Sequence, residues 1–397
     1  MQPSIQSSRE AVVDRLRGFA LLGVVIVNAP FLLTSSEGIT GAAMPTVLDR
    51  VAGAVVWVGF QAKAYLIFAF LFGYSFTIFL RSLQRRGLPV RRVYLQRLAA
   101  LLVIGVGHAL LLFPGDILVV YGLLGVLCLL LRHRPDRALR RWAIGAYVVQ
   151  VLFFAGLLLV PGGTDAGPGL AGVDDALRGG NLLDTTMAHA QLWPGALAFI
   201  LFVQGPLVVA AFAVGLLAGR GTLLSAPEQH RAFWQYWRVR GLLIGVPLQA
   251  ISGLLALRPG SSDLDIYLAL ALQYLGAPVM SLGLVATLVL LPRRGLTRQV
   301  EADGRLSLSV YLAESLILTT LAVGWGFGLL GLTAAPALAA AVTTWAALLI
   351  AAHLWQHHAG AGPAERLLRR LTFARTSAHQ PREVDLTLGT QLSGVDR

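Results

Sequence analysis

The chain has 397 residues, 56% of them hydrophobic and only 13% charged, with a formal net charge of +12. Soluble domains carry about 25% charged residues, so this composition excludes an ordinary water-soluble fold and points to a bilayer. The pI near 10.7 does not signal nucleic acid, because the basic residues fill short gaps between apolar runs instead of tracking one face.

A single cysteine, Cys128, rules out an intrachain disulfide. The first apolar run is continuous over about 20 residues, which reads as a retained span and not a signal peptide. Ten spans follow from hydropathy, at about 12–33, 56–80, 93–113, 116–131, 138–160, 195–219, 239–257, 265–291, 306–330 and 335–357. The expected fold is therefore all-α and polytopic, one transmembrane helical domain over residues 1–375. A polar tail over 376–397 is expected to be disordered and cytoplasmic.

Charge sets the orientation. With the N-terminus in the cytoplasm, the inside segments collect 28 of the 32 basic residues, among them Arg81, Arg85, Arg86, Arg91, Arg92 and Arg97 in one loop. Outside loops receive only Arg50, Arg178 and Arg258, and Lys63 lies in a span. The positive-inside rule then puts both termini in the cytoplasm and makes the span number even. The longest outside loop, about 161–194, holds Asp165, Asp174, Asp175, Asp184 and His189, and could be a lid or a slack connector.

Polar side chains in the apolar runs are the candidate functional residues. Arg17 and Asn28 are 11 residues apart on the first span, about 20° off a common face and about 16 Å apart along the axis. The plain alternative is a charged anchor and an interhelical hydrogen bond. Lys63 enters the second span near its outer end, where snorkelling is the simpler account and a polar cluster with Gln61 the other. His108 lies about 7 Å inside the outer end of the third span, and Asp116 follows the break at Phe113, Pro114 and Gly115. An imidazole oriented by a carboxylate is the minimal general base; a packing histidine bonded to a carbonyl is the alternative. Glu314, beside Tyr311 and Ser315, falls near mid-membrane, as a protonated structural group or as part of a proton or substrate path. Gly324 and Gly328 have the spacing of a helix-packing pair. No Walker loop, dinucleotide fingerprint or nucleophile elbow occurs, and no metal-ligand set is evident: His353, His357 and His358 lack cysteine or carboxylate companions.

Several blocks carry a resemblance. The opening DRLRGFALLGVVIVN, KAYLIFAFLFGYSF at 63–76, RLAALLVIGVGHALLLFPGDIL at 97–118, GLLAGRG at 215–221, GRLSLSVYLAESLI at 304–317 and GPAERLLRRLTF at 362–373 together resemble the YeiB-like family of bacterial membrane proteins. In the last block, Ala364 and Arg366 stand where the family tends to have bulkier apolar residues. That family looks similar to the transmembrane acyltransferases, which include heparan-α-glucosaminide N-acetyltransferase. The shared opening is Leu16, Arg17, Gly18, Val27 and Asn28. A sister family has histidine where this chain has Asn28, so His108 becomes the substitute base.

The resemblance implies a location in the bacterial plasma membrane and an acyl group passed from cytoplasmic acyl-CoA to an acceptor at the outer face. Arg15, Arg17, Arg91, Arg92 and Arg97 would hold the CoA phosphates, since guanidinium forks suit phosphate. The thiol arm would follow the Arg17–Asn28 stripe. His108, oriented by Asp116, would act as base, and Asn28 or Lys63 would stabilise the oxyanion. The alternative is a proton-coupled small-molecule transporter or export factor in which Glu314 and His108 relay protons. Expected partners are the bilayer, acyl-CoA, the acceptor and a second copy of the chain, with no nucleic acid.

Overall fold

Capping residues punctuate a helical chain. Thr46, Asn181 and Ser262 each open a helix with a reciprocal capping box, to Asp49, Asp184 and Asp265, so two otherwise unsatisfied donors are met at each start. The structure, a computed structural model, describes residues 5–35, 43–159 and 172–374; the expected tail, the start of the long loop and Asp165 lie outside them.

The elements are α1 (Ile5–Leu33), α2 (Val47–Ala54), α3 (Lys63–Arg85), α4 (Val90–Leu111), α5 (Ile117–Leu124), α6 (Val126–Leu131), α7 (Asp136–Leu157), α8 (Val173–Gly179), α9 (Leu182–Phe199), α10 (Gly205–Arg220), α11 (Arg231–Leu257), α12 (Asp263–Leu290), α13 (Leu296–Arg305), α14 (Ser307–Ala322), α15 (Ala334–Ala359) and α16 (Pro363–Phe373). Two π-helical turns, Val55–Phe60 after α2 and Ile200–Gln204 after α9, interrupt otherwise regular spans.

The protein is all-α and multi-pass. Among the described residues eight helices are long and apolar enough to cross a membrane, or nine if α13 and α14, which meet at 93°, count as one. The expected count of ten is thus not met by length alone. The fourth segment, Ile117–Leu131, would rise about 22 Å against a hydrocarbon core of about 30 Å. The ninth is broken at Leu306 and ends at Ala322, short of the expected 330. The sixth begins earlier than expected: the candidate span runs Leu182–Arg220, so Asp184 and His189 belong to a helix and not to a loop.

The first helix is the central rod. Leu16, Ala20, Leu21, Ala29 and Leu33 have no exposed surface, and α3, α12, α13, α14 and α15 all pack on it. Apolar surface alone does not hold helices together in lipid, so close backbone approach takes over. Gly241 on α11 and Gly283 on α12 meet backbone to backbone: a Cβ on Gly241 would lie 2.7 Å from the Gly283 Cα. Gly324 and Gly328 are not a helix pair, because α14 ends before them. Instead Gly324 N–H donates to Leu177 O at 2.8 Å, tying this turn to α8.

Candidate functional site

The end of α4 builds the first part of the site. The amides of Leu112 and Phe113 both donate to His108 O at 2.9 Å, and Pro114 then prevents the helix from continuing. The chain reverses into α5, which Asp116 caps by accepting from Val119 N–H at 2.8 Å. This cap delivers the other carboxylate oxygen to His108, with Nδ1 to Oδ2 at 2.8 Å and both side chains buried. The ring is poorly aligned for a linear hydrogen bond there, and Nε2 has no hydrogen-bond partner. Tyr311 on α14 donates its hydroxyl to Asp116 Oδ2 at 3.1 Å, and its ring lies 4.8 Å from that of His108. Gly105 lets α5 approach this closely: a Cβ there would sit 2.7 Å from Asp116 Oδ1. Three expected residues, His108, Asp116 and Tyr311, thus form one buried set.

A cavity of about 550 Å³ lies beside this set. Its walls include Phe113, Pro114, Gly115 and Ile117, the turn that carries Asp116. Asn28, Gln61, His189, Gln204 and Tyr274 supply its polar lining. Both π-helical turns border it, through Trp57 and Phe60 and through Ile200 and Gln204; such turns are frequent at functional sites. Ala62, also on the wall, has a φ of +66°, a strained conformation for a residue with a Cβ.

Of the expected site residues only Asn28 lines this cavity. His108 and Asp116 lie behind the 113–117 wall, because the cap that orients Asp116 also turns the pair inward. The histidine that lines the cavity is His189, whose Nδ1 is 3.2 Å from Leu110 O and which lies within electrostatic reach of His108. The Asn181–Asp184 capping box, legible in the chain, was the signal that His189 sits two turns into a helix.

Lys63 does not snorkel. It is 1% exposed, and its ammonium donates to Gln249 Oε1 at 2.5 Å and to Trp57 O at 3.1 Å. Gln273 Nε2 donates to the carbonyls of Trp57 and Gln61, and Trp57 Nε1 donates to Ser252 Oγ at 2.8 Å. Lys63 therefore anchors the π-helical turn from outside the cavity and reaches no substrate position within it.

The arginines divide. Arg15 is 4% exposed and committed: it pairs with Glu301 at 2.8 Å and donates to the carbonyls of Leu288 and Leu291. It is a structural tie between α1, α12 and α13; only its Nε lacks a partner, and that nitrogen is buried. Arg17 contacts Asp14 at 3.1 Å and Ser75 Oγ at 2.6 Å and stays partly exposed. Arg97, stacked over Phe79 at 5.2 Å, lies within electrostatic reach of Arg17. Arg91 and Arg92 are exposed on the first turn of α4. None of these arginines lines the cavity. Glu314 is buried, and neither of its oxygens has a hydrogen-bond partner.

Comparison with known proteins adds relatives. The family described as "Protein of unknown function (DUF418)" matches residues 218–375. "Uncharacterized protein YxaH" of Bacillus subtilis is 28% identical, over 94% of this chain and 96% of its own. "Uncharacterized protein YeiB" of Escherichia coli is 27% identical, over 92% and 96%. No solved structure matches. A family match over the C-terminal part and relatives aligned along nearly the whole length make the chain similar to the DUF418 family and to the YxaH and YeiB proteins.

Proposed function

We propose that this chain is an acyltransferase of the bacterial plasma membrane, with both termini cytoplasmic, and that its acceptor binds in the cavity beside Asn28 and His189. What supports the reading is one juxtaposition: a cavity wall carrying an imidazole and a carboxamide, backed by the buried His108–Asp116–Tyr311 set. With the termini inside, the cavity falls in the outer half of the membrane and Arg17 and Arg97 at its inner side.

In this reading the CoA phosphates are held by Arg17 and Arg97, with Arg91 and Arg92 around them, and Arg15 is excluded by its own ion pair. His189 takes the proton from the acceptor's hydroxyl or amine as that atom bonds to the acyl carbon. The C–S bond breaks, the thiolate leaves, and His189 returns the proton to it. Asn28, on the cavity wall, donates to the oxyanion in this reading. His108 becomes a positioning residue that holds the 113–117 wall.

The test is transfer from radiolabelled acetyl-CoA by the purified chain in proteoliposomes. His189→Ala is expected to lower turnover by about 10²–10⁴-fold, and Arg97→Ala to raise KM for the donor. A wild-type protein that neither binds nor consumes acyl-CoA sinks the proposal. The separation of cavity and arginines favours one rival, proton-coupled transport by alternating access; uptake of a cavity ligand with no acyl loss would establish that instead.

A further inference from the structure

Two carboxylates of this protein are used by nothing described above. Asp303, near the end of α13, is 0% exposed, and Glu314, on α14, is 2% exposed. None of their four oxygens has a hydrogen-bond partner. They lie within electrostatic reach of one another, across the 93° break that divides this span. The indole of Trp345 on α15 faces Asp303 as its one candidate donor, without a well-formed hydrogen bond.

The surroundings give this pair no cation. Glu301, two residues earlier, takes Arg15 and Arg293. Asp14 takes Arg17. The N-terminus of α14 would favour an anion, but Glu365 of α16 already occupies it, accepting from the amides of Leu308 and Ser309 at 2.8 and 3.1 Å. Arg298, Arg305, His353 and His357 on the same elements are exposed. Two bare carboxylate charges within electrostatic reach of each other in such a place cost several kcal/mol each. A mid-membrane acid without a cation partner is neutralised by what it binds.

We infer that Asp303 and Glu314 form a proton-binding site in the broken span, the two carboxyls together holding at least one exchangeable proton at neutral pH. The inference is independent of acyl transfer: neither residue lines the cavity, Glu314 reaches only Tyr311 of the set behind it, and the readout involves no substrate.

Infrared spectroscopy of the purified full-length chain in lipid nanodiscs tests it. A carbonyl band of protonated carboxylic acid is expected at pH 7 in potassium buffer, shifting on exchange into deuterium oxide. It should disappear in the double variant D303N/E314Q. Carbon-13 aspartate and glutamate, introduced in turn into the unsubstituted protein, should move the band with no variant required. Absence of any acid band at pH 7, or its persistence unchanged in a folded double variant, overturns the proposal. Abolition of the band by sodium but not potassium also overturns it, by making the pair a sodium site.

Discussion

Removing Asp116 is the sharpest test of how the His108 set is held. The carboxylate does three things at once: it caps α5 through Val119 N–H, accepts from Tyr311, and contacts His108 Nδ1. Asp116→Ala loses the cap, about 1 kcal/mol. It also leaves two buried polar groups unpaired, at about 1–3 kcal/mol each. The sum is about 3–7 kcal/mol, a large part of the 5–15 kcal/mol that typically holds a fold. Asp116→Asn keeps a capping oxygen of nearly equal quality and an amide that can face the ring, so its loss should be about 1–2 kcal/mol. Tryptophan fluorescence during denaturant unfolding in mixed micelles reads the order wild type, Asn, Ala. A double-mutant cycle with Tyr311→Phe should show a coupling of about 0.5–3 kcal/mol. Equal losses for Asn and Ala, or additivity with Tyr311→Phe, would refute the shared-carboxylate account.

Three further outcomes follow from the same geometry. Gly105→Ala drives a methyl into Asp116 Oδ1 and Val119 N and should cost about 1–3 kcal/mol, read by the same unfolding assay; Gly107→Ala, where nothing lies within 4 Å, should be neutral or slightly stabilising. Gln249→Leu strips Lys63 Nζ of its side-chain acceptor and should cost about 1–3 kcal/mol; adding Lys63→Met should recover much of that loss, and failure of the double variant to recover would show that Lys63 is not what Gln249 serves. Arg15→Ala leaves Glu301 with Arg293 alone and should lower the yield of folded protein with no selective effect on acyl-CoA affinity, measured by ligand-induced thermal shift on whatever folds.

Much of the site could be read locally and much could not. His108 and Asp116 are eight residues apart across a proline break, and a cap on the far side of that break brings them together whatever the rest of the bundle does. Lys63 is the opposite case. Its depth invited snorkelling, yet its acceptor Gln249 comes from 186 residues away and Gln273, which holds the same turn, lies 216 residues from Trp57. Arg15 and Arg17 look equivalent in the chain, but only the tertiary contact with Glu301 removes Arg15 from the surface. The α14 cap is equally remote, since Glu365 reaches it from 57 positions on.

Composition and spacing, taken alone, determined that the protein is helical and that it crosses a membrane many times. They also marked the arginine-rich segments and the His108–Asp116 neighbourhood. Which side chains line the cavity, which are walled behind it and which arginines remain free was decided only by the packing of distant helices. The reason is physical. In water an apolar stripe shows which way a helix faces, but inside a bilayer both lipid and protein interior are apolar, so the chain announces its spans and conceals their faces.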